Sequence, residues 1–275
     1  MTDKGKGPMK KTILVTGSTD GLGLETARML VSRGHHVLVH GRSASKLADA
    51  EQVLQALPGE GSVECHLANL SVMAEVETLA ATVAEKHDRL NVLINNAGVF
   101  GVADPETKDG LDVRFAVNTI APYLLTQRLL PLLGTSGRVV NLSSAAQSPV
   151  DLRAMASSAS LSGNAAYAQS KLALTMWSRH LALSLGGEGP AVIAVNPGSF
   201  LGTKMVKQAY GMDGQDVGIG ADILCRAAMS DEFASASGEY FDNDSGRFAS
   251  PHPDALDLGK SQEIVRTIEM VLARN

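Results

Sequence analysis

Tyr167 and Lys171 stand four residues apart in the run Tyr167-Ala168-Gln169-Ser170-Lys171, where the apolar pattern predicts a helix over Ala165–Leu185. Four residues make about one helical turn, so both side chains fall on one face. A phenol with a pKa of about 10 is a poor acid–base group at neutral pH, but a neighbouring ammonium favours the phenolate and draws that value down. Such a pair can give a proton to a carbonyl oxygen as hydride arrives, or take one from an alcohol in reverse. The Tyr-x-x-x-Lys spacing is common. It gains weight from Ser143 and Ser144, which end the predicted strand Arg138–Leu142 and offer a hydroxyl for a substrate oxygen.

A second group of residues is suited to a dinucleotide. Thr16-Gly17-Ser18-Thr19-Asp20-Gly21-Leu22-Gly23 lies between the first predicted strand, Thr12–Val15, and a helix, Gly23–Arg33. Glycines there permit a tight turn and a close approach of backbone to pyrophosphate, whose charge meets the free N–H groups of the helix start. About 20 residues on, where an acidic side chain would bind the ribose 2′-hydroxyl of NAD, the chain reads His40-Gly41-Arg42-Ser43. A guanidinium at Arg42 suits a 2′-phosphate, so NADPH is the expected cofactor.

The elements that must position these groups alternate along the chain. Further strands are predicted at Val37–His40, Val63–His66, Val92–Asn95, Ala191–Val195 and Glu239–Phe241, and further helices at Ser45–Leu57, Val72–His87, Gly110–Leu132, Ile219–Ala228 and Glu263–Ala273. Several strands are apolar throughout, as parallel strands covered on both faces are. The pattern predicts an α/β fold, a Rossmann-type doubly wound parallel sheet of about seven strands with helices on both faces. We expect a flexible tail over residues 1–10 and a single dinucleotide-binding and catalytic domain over 11–275. Two connections, Ala145–Asn164 and Gly198–Gly218, are too long for ordinary loops and follow strand C-termini, where open α/β sheets bind ligands. The first is expected to be a mobile flap, with Leu152, Met155 and Leu161 touching a hydrophobic substrate.

Composition narrows the rest. With 24 Lys+Arg against 29 Asp+Glu the net charge is -5, which argues against nucleic acid or an anionic membrane as partner. Cys65 and Cys225 form no CxxC, and the histidines include no HExxH, so no metal site is expected. No secretory leader or membrane span is recognisable, and a cytoplasmic location is expected.

Taken in order, the Thr16–Gly23 loop, Asn95-Asn96-Ala97-Gly98, the strand-end serines, Tyr167/Lys171 and Pro197-Gly198 resemble a short-chain dehydrogenase/reductase of single-domain type. The run Gly110–Asn118 and the long loop before Tyr167 resemble its retinol-dehydrogenase-like branch. The resemblance implies that Tyr167 is the general acid–base and that Lys171 lowers its pKa and binds the nicotinamide ribose. Ser144 would position the carbonyl, with Ser143 as the alternative, and Asn118 would hold a water in the proton relay. It also implies cofactor contacts from Gly17, Ser18, Thr19, Asp20, Gly21, Leu22, Gly23, Arg42, Ser43, Asn69, Leu70, Asn96, Ala97, Gly98, Pro197, Gly198 and Thr203. Asn69 stands where the family usually has Asp, and its oxygen is expected to accept from the adenine amine.

The expected activity is NADP(H)-dependent interconversion of a ketone or aldehyde and its alcohol. The rival readings are a non-catalytic dinucleotide sensor, or an epimerase or dehydratase sharing Tyr-x-x-x-Lys. A homodimer or homotetramer is implied through the Gly110–Leu132 and Ala165–Leu185 helices. Asp242–Leu258 matches no catalytic segment and is expected to cover the pocket or form an interface.

Overall fold

The computed structural model describes residues 9–158 and 161–274, so residues 1–8 of the expected tail lie outside the described residues. β1 (Thr12–Val15) leads into α1 (Gly21–Ser32), β2 (His36–Gly41) into α2 (Ala44–Gln55), and β3 (Ser62–Leu67) into α3 (Met73–Lys86). β4 (Val92–Asn95) is followed by α4 (Val113–Phe115), a π turn (Ala116–Ile120) and α5 (Ala121–Leu133). β5 (Arg138–Leu142) precedes α6 (Leu152–Met155) and α7 (Gly163–Leu185), and β6 (Ala191–Asn196) precedes α8 (Lys204–Tyr210) and α9 (Val217–Met229). The described chain closes with β7 (Tyr240–Asp242), β8 (Arg247–Ala249), α10 (Pro253–Leu256) and α11 (Leu258–Leu272).

These strands form one sheet in the order β3-β2-β1-β4-β5-β6-β7-β8. Every pairing is parallel except the last, β7 with β8. The order reverses between β1 and β4, which opens a crevice at the strand C-termini. The sheet thus has eight strands where about seven are expected. β8 is only three residues long, too short to show an alternating pattern. Side chains of the central strands are buried on both faces. Leu14, Leu38 and Leu93 belong to the core shared with α3, α5, α7 and α11, while Ile13, Val15, Val37 and Val39 belong to the core shared with α1, α2 and α9.

Three sequence expectations change. The single helix expected over Gly110–Leu132 is instead α4, the π turn and α5. Pro122 has no N–H, so the carbonyl of Asn118 lacks its α-helical donor four residues on, and the backbone widens there. The stretch expected as a mobile flap is pinned. Met155 on α6 is fully buried in the core that holds Ile264 and Ile268 of α11, and Leu152 and Leu161 pack against that core. The small residues around them conceal a short helix capped by Asp151, whose Oδ1 accepts from Arg153 N–H at 2.9 Å. Ala159 and Ser160 of this stretch lie outside the described residues.

Third, α11 lies against α7, and Tyr123 on α5 donates to Glu269 on α11 at 3.0 Å. The chain's own last helix therefore occupies part of the face that resemblance implied for subunit contact. Among the described residues no helix is long and apolar enough to cross a membrane.

Candidate active site

The crevice at the strand C-termini is a cleft of about 730 Å³. It is lined by every residue expected to contact cofactor except Ser18 and Ser43, and also by Ser144.

Its floor is the turn between β1 and α1. Gly17 has φ +64°, and a Cβ there would lie 2.8 Å from the Ala97 Cα, so no side chain fits. Asn96 donates through Nδ2 to the carbonyls of Thr16 (2.8 Å) and Gly17 (3.0 Å), which ties the β4 loop to the glycine turn. As first-turn amides of α1, Leu22 and Gly23 N–H have no intrahelical acceptor and are donors suited to phosphate. Ser18 is buried beneath the turn, where its hydroxyl donates to Val15 O at 2.7 Å and accepts from His40 N–H at 2.9 Å. Its side chain thus supports the loop from behind. Ser43 precedes α2 and meets Ser45 Oγ at 3.1 Å, outside the cleft.

His40, absent from the sequence-derived site, proves central to the turn. Its Nδ1 accepts from Gly17 N–H at 3.0 Å while Nε2 lies 3.0 Å from Ala68 O, a pattern that requires the neutral Nε2–H tautomer. Burial pushes its pKa down to about 4. An unfolded histidine titrates near about 6.5, so between the two values the unfolded chain binds more protons. Stability from His40 should be full above about 6.5 and erode as pH falls toward about 4. Thermal unfolding across that window, compared with His40→Gln, checks this: the variant should show a shallower acid loss.

Charge gathers at the mouth. Asp20 caps α1 and pairs with Lys204 of α8 at 2.5 Å, with Lys46 at 3.7 Å. The hydrogen bond from Lys204 holds its carboxyl below the usual range. Arg42 is exposed at the end of β2, with no hydrogen bond or ion pair among the described residues. Asn69 differs from expectation. Its Oδ1 already accepts from Ser71 N–H (3.1 Å) and Ser71 Oγ (2.9 Å), so the end left for an adenine is the amide donor rather than the oxygen.

At the other end of the cleft α7 carries Tyr167 and Lys171. Lys171 is buried; its Nζ donates to Leu142 O at 2.7 Å and lies 5.7 Å from the Tyr167 ring centre. Burial lowers its pKa to about 8, so the ammonium persists at neutral pH. The two strand-end serines separate in role. Ser143 is buried and bonded to Thr175 Oγ1 at 2.6 Å, whereas Ser144 is partly exposed on the cleft wall. Asn118 sits in the π turn, not on the cleft wall. It accepts from Val99 N–H at 2.8 Å and donates to Val99 O and Ser170 Oγ, each at 3.0 Å, so its side chain clamps the β4 loop to α7.

Further braces come from the C-terminal hairpin. Asn243 Nδ2 donates to Pro197 O at 2.9 Å, and Asp244 accepts from Ser199 N–H at 2.7 Å, which fixes the Pro197–Ser199 turn. Tyr240 donates to Ser144 O at 3.2 Å. Thr203 lines the cleft while its Oγ1 caps α8 by accepting from Val206 N–H at 3.3 Å. Sequence spacing carried no signal for the hairpin's three contacts, from Tyr240, Asn243 and Asp244, which span 45 to 96 positions.

A glycine-floored dinucleotide cleft on a doubly wound sheet, with a Tyr/Lys pair at one end, defines a nucleotide-dependent oxidoreductase. The chain belongs to the short-chain dehydrogenase family, in its retinol-dehydrogenase-like branch. The family's sequence model, described as short chain dehydrogenase, matches residues 11–213. Human polyprenol dehydrogenase is 36% identical over 259 residues, covering 85% of this chain and 77% of that protein. Human retinol dehydrogenase 13 is 29% identical over 283 residues, covering 96% and 84%. Among solved structures, the Pseudomonas aeruginosa RhlG/NADP active-site complex superposes with a TM-score of 0.69 at 28% identity, covering 86% of this chain and 95% of that one. The protein is thus a short-chain oxidoreductase acting on CH–OH and C=O groups.

Proposed function

We propose that the protein interconverts an apolar aldehyde or ketone and its alcohol, with NADPH as the favoured cofactor and Tyr167 as the general acid–base. One observation carries this: a single cleft has the Tyr167/Lys171 pair and Ser144 at one end and the unpartnered Arg42 at the other. A volume of about 730 Å³ is of the size that takes a small-molecule ligand. The nearby lining is apolar, with Val99, Phe100, Phe200, Leu201 and Met205, in keeping with the polyprenol and retinol named for the relatives.

A bound nicotinamide supplies or takes the hydride. In the reductive direction Ser144 Oγ donates to the substrate oxygen, and Tyr167 Oη gives that oxygen the proton as the C–O bond order falls. Lys171 stabilises the resulting phenolate by its charge. Leu22 and Gly23 N–H, at the start of α1, would hold the pyrophosphate. The two free cysteines fit a reducing, cytoplasmic setting. The reading includes a homo-oligomer, in which α11, lying on α7, shares any contact made through the α5/α7 face.

The test is a panel of aldehydes, ketones and alcohols of graded bulk, followed by reduced-nicotinamide absorbance. Turnover of apolar members supports the proposal, and turnover of none contradicts it. Cofactor choice has its own check. A charge-assisted contact to phosphate is worth about 1.5–3 kcal/mol, or one to two decades of affinity. Arg42→Ala should weaken NADPH by that factor and leave NADH nearly unchanged in a titration; equal losses for both would contradict a discriminating Arg42.

A further inference from the structure

A second cluster of chemically capable side chains lies on the other flank of β2. His36 opens β2, five residues before Gly41 and so about 16 Å along the strand from the cleft end. Glu64 and His66 lie on β3, the edge strand, and on the same face as His36, since residues two apart share a face and His36 pairs with Ser62. His87 directly follows α3, which packs over that face. Four side chains from three elements therefore meet where the sequence spreads them from position 36 to 87.

Their geometry is that of a ligand set. One ligand atom from each of His36, Glu64 and His87 lies within 4.8 Å of the others. His87 Nε2 is 3.2 Å from Glu64 Oε2, and His36 Nε2 is 3.8 Å from the same oxygen. Ligands at about 2.1 Å in a tetrahedron stand about 3.4 Å apart, between those two distances. His36 Nδ1 meets Ser62 Oγ at 2.8 Å, which turns Nε2 toward the carboxylate. The other carboxylate oxygen, Oε1, is held by Lys86 Nζ at 3.0 Å, so Oε2 is the one left facing the two rings. Behind it His66, with its side chain 3% exposed, has Nε2 at 3.1 Å from Oε1. That contact lacks hydrogen-bond alignment, and His66 Nε2 is a buried polar atom without a partner aimed into the cluster.

We propose that His36, Glu64 and His87 form a binding site for a divalent transition-metal ion, Zn2+ first among them, pinning the end of α3 to the β2–β3 edge. Two imidazoles and a carboxylate suit zinc, whereas magnesium takes oxygen ligands. Three protein ligands leave a fourth position for water. His66 is a positioning residue, meeting Oε1 while Oε2 binds the ion.

The full chain, freed of metal by chelator dialysis, should be titrated with Co2+ as an optical probe and then with Zn2+. The expected result is the intense visible absorption of four-coordinate cobalt, saturating at one equivalent, displaced by Zn2+, with a raised melting temperature. His36→Asn, His87→Asn and Glu64→Gln should each abolish that signal, and His66→Gln should weaken Zn2+ binding about tenfold or more. Circular dichroism confirms that each variant is folded. A wild-type spectrum no different from hydrated cobalt overturns the site without recourse to any variant. A signal that survives both His36→Asn and His87→Asn overturns it equally.

Discussion

Tyr167→Phe should lower turnover by a factor of about 10²–10⁴ while NADPH binds as before. The phenylalanine ring keeps the edge contact with Phe100, whose ring centre is 4.9 Å away, so the local packing survives. What is lost is the only transferable proton on that side chain. Steady-state rates on the best substrate, with cofactor affinity from fluorescence titration, separate the two effects. A variant retaining more than a tenth of wild-type turnover would place the proton elsewhere.

Lys171→Met should damage both rate and cofactor affinity. Methionine fills similar space and adapts to it, but it brings neither the charge beside Tyr167 nor the donor to Leu142 O. With the lysine pKa lowered by burial to about 8, the ammonium is present below that value and is lost as pH rises through it. In the wild type, kcat/KM for carbonyl reduction should therefore fall as pH rises through about 8, a limb belonging to the Tyr167–Lys171 pair as a unit. In Lys171→Met that limb should vanish along with about 10²–10³ of the rate. An unchanged pH profile in the variant would remove Lys171 from the chemistry.

Much of this architecture could be read from local pattern, and the exceptions have physical causes. Strands such as Val92–Asn95 and Arg138–Leu142 are apolar runs bounded by polar residues, so their ends match the expectation residue for residue. The glycine loop is legible because only glycine fits at Gly17. His40 was not, because its value depends on a backbone N–H 23 positions earlier that only parallel pairing brings near. The burial of Met155 is hidden from local pattern for a similar reason. In sequence it sits among alanines and serines, and only the C-terminal helix α11, more than a hundred positions later, makes its site a core. The same holds for Asn243 and Asp244. Their hairpin carries no catalytic pattern, yet it braces the turn beside the cleft.

The most direct measurement follows the hydride itself. NADPH bearing deuterium at the transferring position of the nicotinamide is incubated with the protein and an apolar aldehyde, and the product is read by mass spectrometry and NMR. Deuterium on the carbinol carbon of the alcohol, present with the wild type and reduced to trace with Tyr167→Phe, is the predicted result. Alcohol formed without deuterium, or no alcohol from any apolar aldehyde while NADPH binds tightly, would contradict a carbonyl-reducing function for this cleft.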